Sequence, residues 1–176
     1  MLRSLRSMLA LVLMLSSATA FAGDTWVKAR AVLHSCGYYS TQEVEVGLTY
    51  RNYNLPWGTA VHLVYGWGGY TSSSPSNIPF TWENTKTVQA SASASYTWST
   101  TVTSTIAARS SPKFYDSIDF VWKVVLPDGS EFYEKGNTST YGHYAASFAN
   151  VPRPCVSSAG FIGTPQALTV TTVEKW

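Results

Sequence analysis

Carboxylates, histidines and aromatic rings are the side chains of this sequence whose types and spacing could do chemistry. Glycosidic hydrolysis needs two acids facing each other across a cleft, and Glu43/Glu45, Asp116/Asp119 and Glu131/Glu134 are the local sets. Glu43 and Glu45 alternate along one side of an extended segment, as polar residues do on any wetted strand face. His34, His62 and His143 stand apart and match no zinc-ligand spacing, so neither a metal nor a cofactor is expected. HExxH, GxSxG and phosphate-cradling loops are absent from the sequence. The aromatics say more. In VHLVYGWGGY, Trp67 and Tyr70 stand among Gly66, Gly68 and Gly69. Missing side chains there would leave ring faces approachable, and a flat ring is what the apolar C–H face of a sugar packs on.

The elements that must position these residues read with period two. Val44, Val46, Leu48 and Tyr50 alternate with polar or small residues, and Ile118, Phe120, Trp122, Val124 and Leu126 form a second such set. Val61, Leu63 and Tyr65 share one face and His62 and Val64 the other, with the strand expected to give way to an aromatic turn at Gly66. Pro127-Asp128-Gly129-Ser130 predicts a hairpin, its Asp-Gly pair taking positive φ, and Glu131 to Glu134 would return antiparallel. The run QASASASYTWSTTVTSTIAAR predicts two strands, and Gln166 to Val173 a last one. No apolar set after residue 22 keeps a helical period. Short strands between Gly, Pro and Asn turns predict an all-β fold, an antiparallel β-sandwich of immunoglobulin-like architecture, with a closed barrel as the alternative.

Residues 1–22 carry Arg3 and Arg6, an apolar run from Met8 to Leu15 and small residues ending in Ala20-Phe21-Ala22, the pattern of a secretory signal peptide. The expectation is a secreted or periplasmic chain, residues 23–176, forming one domain without a membrane span. Without Arg3 and Arg6 the 12 basic side chains fall to 10, equal to the 10 acidic ones, so nucleic acid is not an expected partner. The 2 cysteines, Cys36 and Cys155, predict one disulfide joining the terminal segments. Closing so long a loop is worth about 4–5 kcal/mol in the chain-entropy account.

The stretch LTYRNYNLPWGTAVHLVYGWGGY, followed in order by YTWSTTVTSTI, SIDFVWKV and EFYEKGNTSTYGHY, resembles the starch-binding β-sandwich modules of carbohydrate-binding family 25 and its relatives over about residues 44–145. The resemblance implies a sugar held by a histidine and two aromatics. By position these fall on Val64, Tyr70 and Phe132 or Tyr133, with His62 the nearby donor and Glu134-Lys135 standing where the family has an Asp-Asn pair. The resulting expectation is a non-catalytic binder of an α-glucan or cell-surface glycan, its site formed by Trp67, Tyr70, His62, Phe132 and Tyr133. An extracellular structural or adhesive sandwich without a sugar site, and a small polysaccharide hydrolase, are the alternative readings.

Overall fold

The computed structural model describes residues 23–34, 41–71, 74–78, 85–107, 113–135, 142–157 and 160–174; the expected leader and Cys36 lie outside them. The described elements are strands: β1 (Asp24–His34), β2 (Thr41–Arg51), β3 (Ala60–Thr71), β4 (Ser74–Ile78), β5 (Lys86–Gln89), β6 (Ser91–Ala94), β7 (Thr97–Ala107), β8 (Lys113–Val125), β9 (Glu131–Glu134), β10 (Gly142–Ser147), β11 (Cys155–Val156), β12 (Gln166–Leu168) and β13 (Val170–Glu174). Among the described residues no helix is long and apolar enough to cross a membrane.

The strands form two sheets. The first runs β11-β1-β2-β7-β6, with β12 also on β1; the second runs β13-β10-β8-β3-β4, with β5 also on β3 and β9 on β8. Pairing is antiparallel except between β1 and β11. The inward sets are those of the alternation. Val44, Val46, Leu48 and Tyr50 of β2 meet Ile118, Phe120, Trp122 and Val124 of β8 in one buried cluster, consistent with a sandwich. Burying such side chains stabilises the fold by roughly 1.5–3 kcal/mol each. Rings cross the core from Trp98 through Tyr50, Trp122 and Phe120 to Tyr144, with successive centroids 6.1, 5.5, 5.9 and 5.3 Å apart.

Several polar groups caught in this core find partners. Trp122 Nε1 donates to Thr25 Oγ1 at 3.1 Å, Asn52 Nδ2 to Tyr50 OH at 2.9 Å, and Tyr144 OH to Glu134 Oε1 at 3.2 Å. Burial, with the Glu134 carboxylate adding to it, pushes the Tyr144 phenol far above its usual range, so it stays a donor. Gln42, fully buried in β2, reaches across to β8: its Nε2 donates to the Tyr115 carbonyl at 3.2 Å and its Oε1 accepts from the Tyr115 N–H at 2.9 Å. Tyr115 needs these partners because the β3–β8 register slips here. Gly68 pairs with Ser117 and Gly69 with Tyr115, which leaves Asp116 as an extra residue on β8. The slip also resets the side-chain phase, and Tyr115 joins Ile118 on the inner side.

The 127–130 hairpin forms, with one difference from expectation. Gly129 alone takes positive φ, at 84°, after a turn closed by Gly129 N–H donating to the Leu126 carbonyl at 2.9 Å. That is a type I turn with Pro127 at its second position followed by a left-handed glycine, rather than a turn with both Asp128 and Gly129 at positive φ. Asp128 Oδ1 accepts from Ser130 N–H at 2.9 Å and holds it shut. The Ser/Ala/Thr run yields β6 and β7 as expected. The tail yields two strands instead of one, β12 on the first sheet and β13 on the second.

Candidate functional site

Pairing decides the fate of the aromatic-glycine stretch. β3 does not end at Gly66: it stays paired with β8 through Thr71, Gly66 opposite Asp119 and Trp67 opposite Ile118. Trp67 therefore keeps the phase of Val61, Leu63 and Tyr65 and packs against the core. Its ring stacks on Tyr115 at 5.7 Å and meets Tyr65 and Phe148 edge-on at 5.8 and 6.2 Å. Gly68 serves the opposite face. A Cβ there would collide with the Ser117 hydroxyl and stand 3.1 Å from Asp119 Oδ2, so the missing side chain makes room for these two groups. Asp119 Oδ1 in turn holds His143 Nε2 at 3.0 Å, both buried.

The remaining expected site residues divide between the two faces of the second sheet. Phe132 is partly buried against the core, while Tyr133 is 47% exposed. Opposite Tyr133 lies Lys123, and opposite Lys123 lies His62, so His62, Lys123 and Tyr133 form one cross-strand row on the outer face. Tyr70 is in β3 opposite Phe114, and its side chain lies outside the described residues. Two of the chosen residues, His62 and Tyr133, thus share a face with each other and not with Trp67 or Phe132. Of the carboxylates, Glu43 Oε2 lies 2.9 Å from His34 Nε2 and Glu45 Oε1 accepts from Arg30 Nε at 2.7 Å. Among the described residues no group of three or more His, Cys, Asp or Glu side chains could hold a metal ion.

A different set of aromatics reaches solvent at one end of the sandwich. The loop from Asn52 to Thr59 is pinned at several points. Asn52 N–H donates to the Tyr96 carbonyl at 3.0 Å, Asn52 Oδ1 accepts from Asn54 N–H at 2.9 Å, and Thr59 Oγ1 donates to the Pro56 carbonyl at 2.7 Å. Leu55, only 2% exposed, anchors the middle. Between these fixed points Tyr53 and Trp57 turn outward, 65% and 91% exposed. Facing them is the turn between β6 and β7, where Tyr96 adopts φ 56°. An aromatic residue in this left-handed region costs on the order of 1–2 kcal/mol, since its Cβ crowds the following carbonyl.

Between loop and turn opens a cleft of about 520 Å³, within the size range of small-ligand sites. Trp57 and Tyr96 are its aromatic walls, Trp98 joins it to the core, and Thr59, Ser93 and Ser95 contribute hydroxyls. Among the described residues the lining contains no Asp, Glu, His or Cys. Tyr53 packs on Tyr96 at 6.0 Å and under the Arg51 guanidinium at 5.3 Å, which fixes the ring's tilt. Exposed rings beside neutral hydroxyls can stack a ligand and exchange hydrogen bonds with it. The sequence signal for this site was Trp57 inside NLPWGT, an aromatic placed where turn residues cluster. A scan against protein-family models, a search of curated proteins and a search of solved structures each found no match.

Proposed function

We propose that this chain is an exported, non-catalytic carbohydrate-binding protein that holds an α-glucan or cell-surface glycan by aromatic stacking in the cleft between Trp57 and Tyr96. The observation that carries the reading is Trp57, 91% exposed on a loop that Leu55, Asn52 and Thr59 anchor by burial and hydrogen bonds. An indole that large left in water by an anchored loop stabilises nothing in the free protein, and it is pre-organised for a flat apolar face. The neutral lining matches a polyol better than a charged ligand.

The proposal keeps the resemblance to carbohydrate-binding family 25 at the level of fold and ligand class. It moves the stacking surface away from Trp67, whose ring the core uses. It also includes an immunoglobulin-like sandwich and a Cys36–Cys155 bond. The bond is supported by position: Cys155 lies opposite Leu33 in the β1–β11 pairing, three residues before Cys36, and Cys155 is not a free thiol.

The test is gel retardation and tryptophan fluorescence of the protein against starch, glycogen, β-glucan, chitin and peptidoglycan. Binding to one of them without release of reducing sugar, weakened about tenfold or more by Trp57→Ala, is the expected result. Loss through His62→Ala and Tyr133→Ala instead would return the site to the outer face of the second sheet. Silence across the panel would end the carbohydrate reading.

A further inference from the structure

The outer face of the first sheet carries a second depression, of about 260 Å³. It is built on two neighbouring rungs of the ladder. On one, Trp26 lies opposite Thr49 and Thr49 opposite Ser99; on the other, Lys28 lies opposite Gly47 and Gly47 opposite Thr101. The floor is open because Gly47 has no side chain. A Cβ there would stand at ordinary contact distance, 3.9 Å from Thr101 Oγ1 and 4.0 Å from the Lys28 carbonyl, without a clash. Thr49 and Ser99 hydroxyls, 3.1 Å apart, lie along it, and Trp26, 44% exposed, forms a wall.

This groove is not isolated from the cleft. The Arg51 guanidinium stacks on Trp26 at 4.6 Å and on Tyr53 at 5.3 Å, and Asp24 Oδ2 fixes it at 2.9 Å. Tyr53 then reaches Tyr96 at 6.0 Å, and Tyr96 lines the cleft. The contacts Trp26–Arg51–Tyr53–Tyr96 therefore run from one depression to the other. The series presents three rings and a guanidinium; hydroxyls lie at its two ends, Thr49 and Ser99 in the groove and Ser93 and Ser95 in the cleft. Of the charged groups there, Arg30 pairs with Glu45 and Arg51 with Asp24, and Lys28 also lines the groove.

We infer that the ligand is the interior of an extended polysaccharide chain, which continues from the Trp57–Tyr96 cleft past Tyr53 and Trp26 into the groove floored by Gly47. The inference rests on the carbohydrate reading above and adds the ligand's length. A chain end or a free monosaccharide would fill one depression only. A polymer repeats the same apolar ring face and hydroxyl rim unit after unit, and each depression offers rings beside hydroxyls, Trp57 and Tyr96 with Ser93 and Ser95 in one and Trp26 with Thr49 and Ser99 in the other. Engaging both makes the second contact intramolecular, so affinity grows with chain length until both are covered. Arg51 acts as a positioning residue, holding the two rings between the depressions.

The test is titration calorimetry of the full protein with malto-, cello- and chito-oligosaccharides graded from the disaccharide upward, on wild type and Gly47→Val. Valine suits a strand and its Cβ would stand at ordinary contact distance, 3.9 Å from Thr101 Oγ1, so the variant is expected to fold, and its thermal melt checks this. The expected result is a rise in wild-type affinity of about tenfold beyond the length that fills the first cleft. In Gly47→Val that rise disappears while the short oligosaccharides bind as before. Length-independent wild-type affinity, or an unchanged rise in Gly47→Val, would overturn the inference and leave the cleft reading standing. If no oligosaccharide and no polysaccharide binds, both fall together.

Discussion

Trp57 and Trp67 are each followed directly by glycine, yet one is the most exposed large apolar side chain described and the other is packed against the core. The glycines do not decide this. Trp67 continues an alternation that begins at Val61, and β8 holds β3 in that phase past Gly66 to Thr71. Trp57 lies between strands, where no ladder dictates direction and Leu55 has already taken the inward position. Beside Trp67, Gly68 answers a need on the opposite face, room for Ser117 and Asp119. A glycine next to an aromatic is therefore no guide to exposure until the pairing on both sides is known.

Substitutions can break or sharpen this contrast. Trp67→Ala removes a ring wedged among Tyr65, Tyr115 and Phe148 and should cost about 3 kcal/mol, read as a lower urea midpoint, with affinity for the panel polysaccharide unchanged. Gln42→Leu leaves the Tyr115 N–H and carbonyl without the partner that the register slip requires, a loss of roughly 2 kcal/mol by the same measurement. Gly68→Ala, which pushes the Ser117 hydroxyl and the Asp119 carboxylate aside, should cost on the order of 1 kcal/mol; an unchanged midpoint would mean that rotation of the Ser117 side chain relieves the crowding. Tyr96→Asn relieves the left-handed strain and should raise the thermal midpoint by the equivalent of about 1 kcal/mol while weakening glycan binding. Trp57→Ala should move stability by no more than about 0.5 kcal/mol, because the ring has little to lose, and should show its effect in binding alone.

The core was legible where alternation was long. β2 and β8 bury the residues their period two assigns, and the hairpin after Val125 follows from Pro127, Asp128 and Gly129. Legibility stopped where two glycines interrupted the pattern, since Gly66 and Gly68 have no side chain to mark a face and only the partner strand shows that the ladder continues. Strand partners were not legible at all. Nothing local in Gln166 to Glu174 says that its halves join different sheets. The cleft was half legible: Trp57 stands in an obvious turn, but its second wall depends on Tyr96 accepting a backbone conformation that the sequence gives no reason to expect.

β1 is bordered by β2 on one side and by β11 and β12 on the other, so the first described strand finds its second neighbour among the last twenty or so residues. Until those residues arrive, β1 is a free edge with its hydrogen-bonding groups unmatched, a template for another chain. Pairings so distant in sequence place folding on the order of milliseconds to seconds rather than microseconds. The interval in which this protein can misassemble is therefore set by its ends, and a chain truncated after Val151 would carry open edges at both β1 and β10.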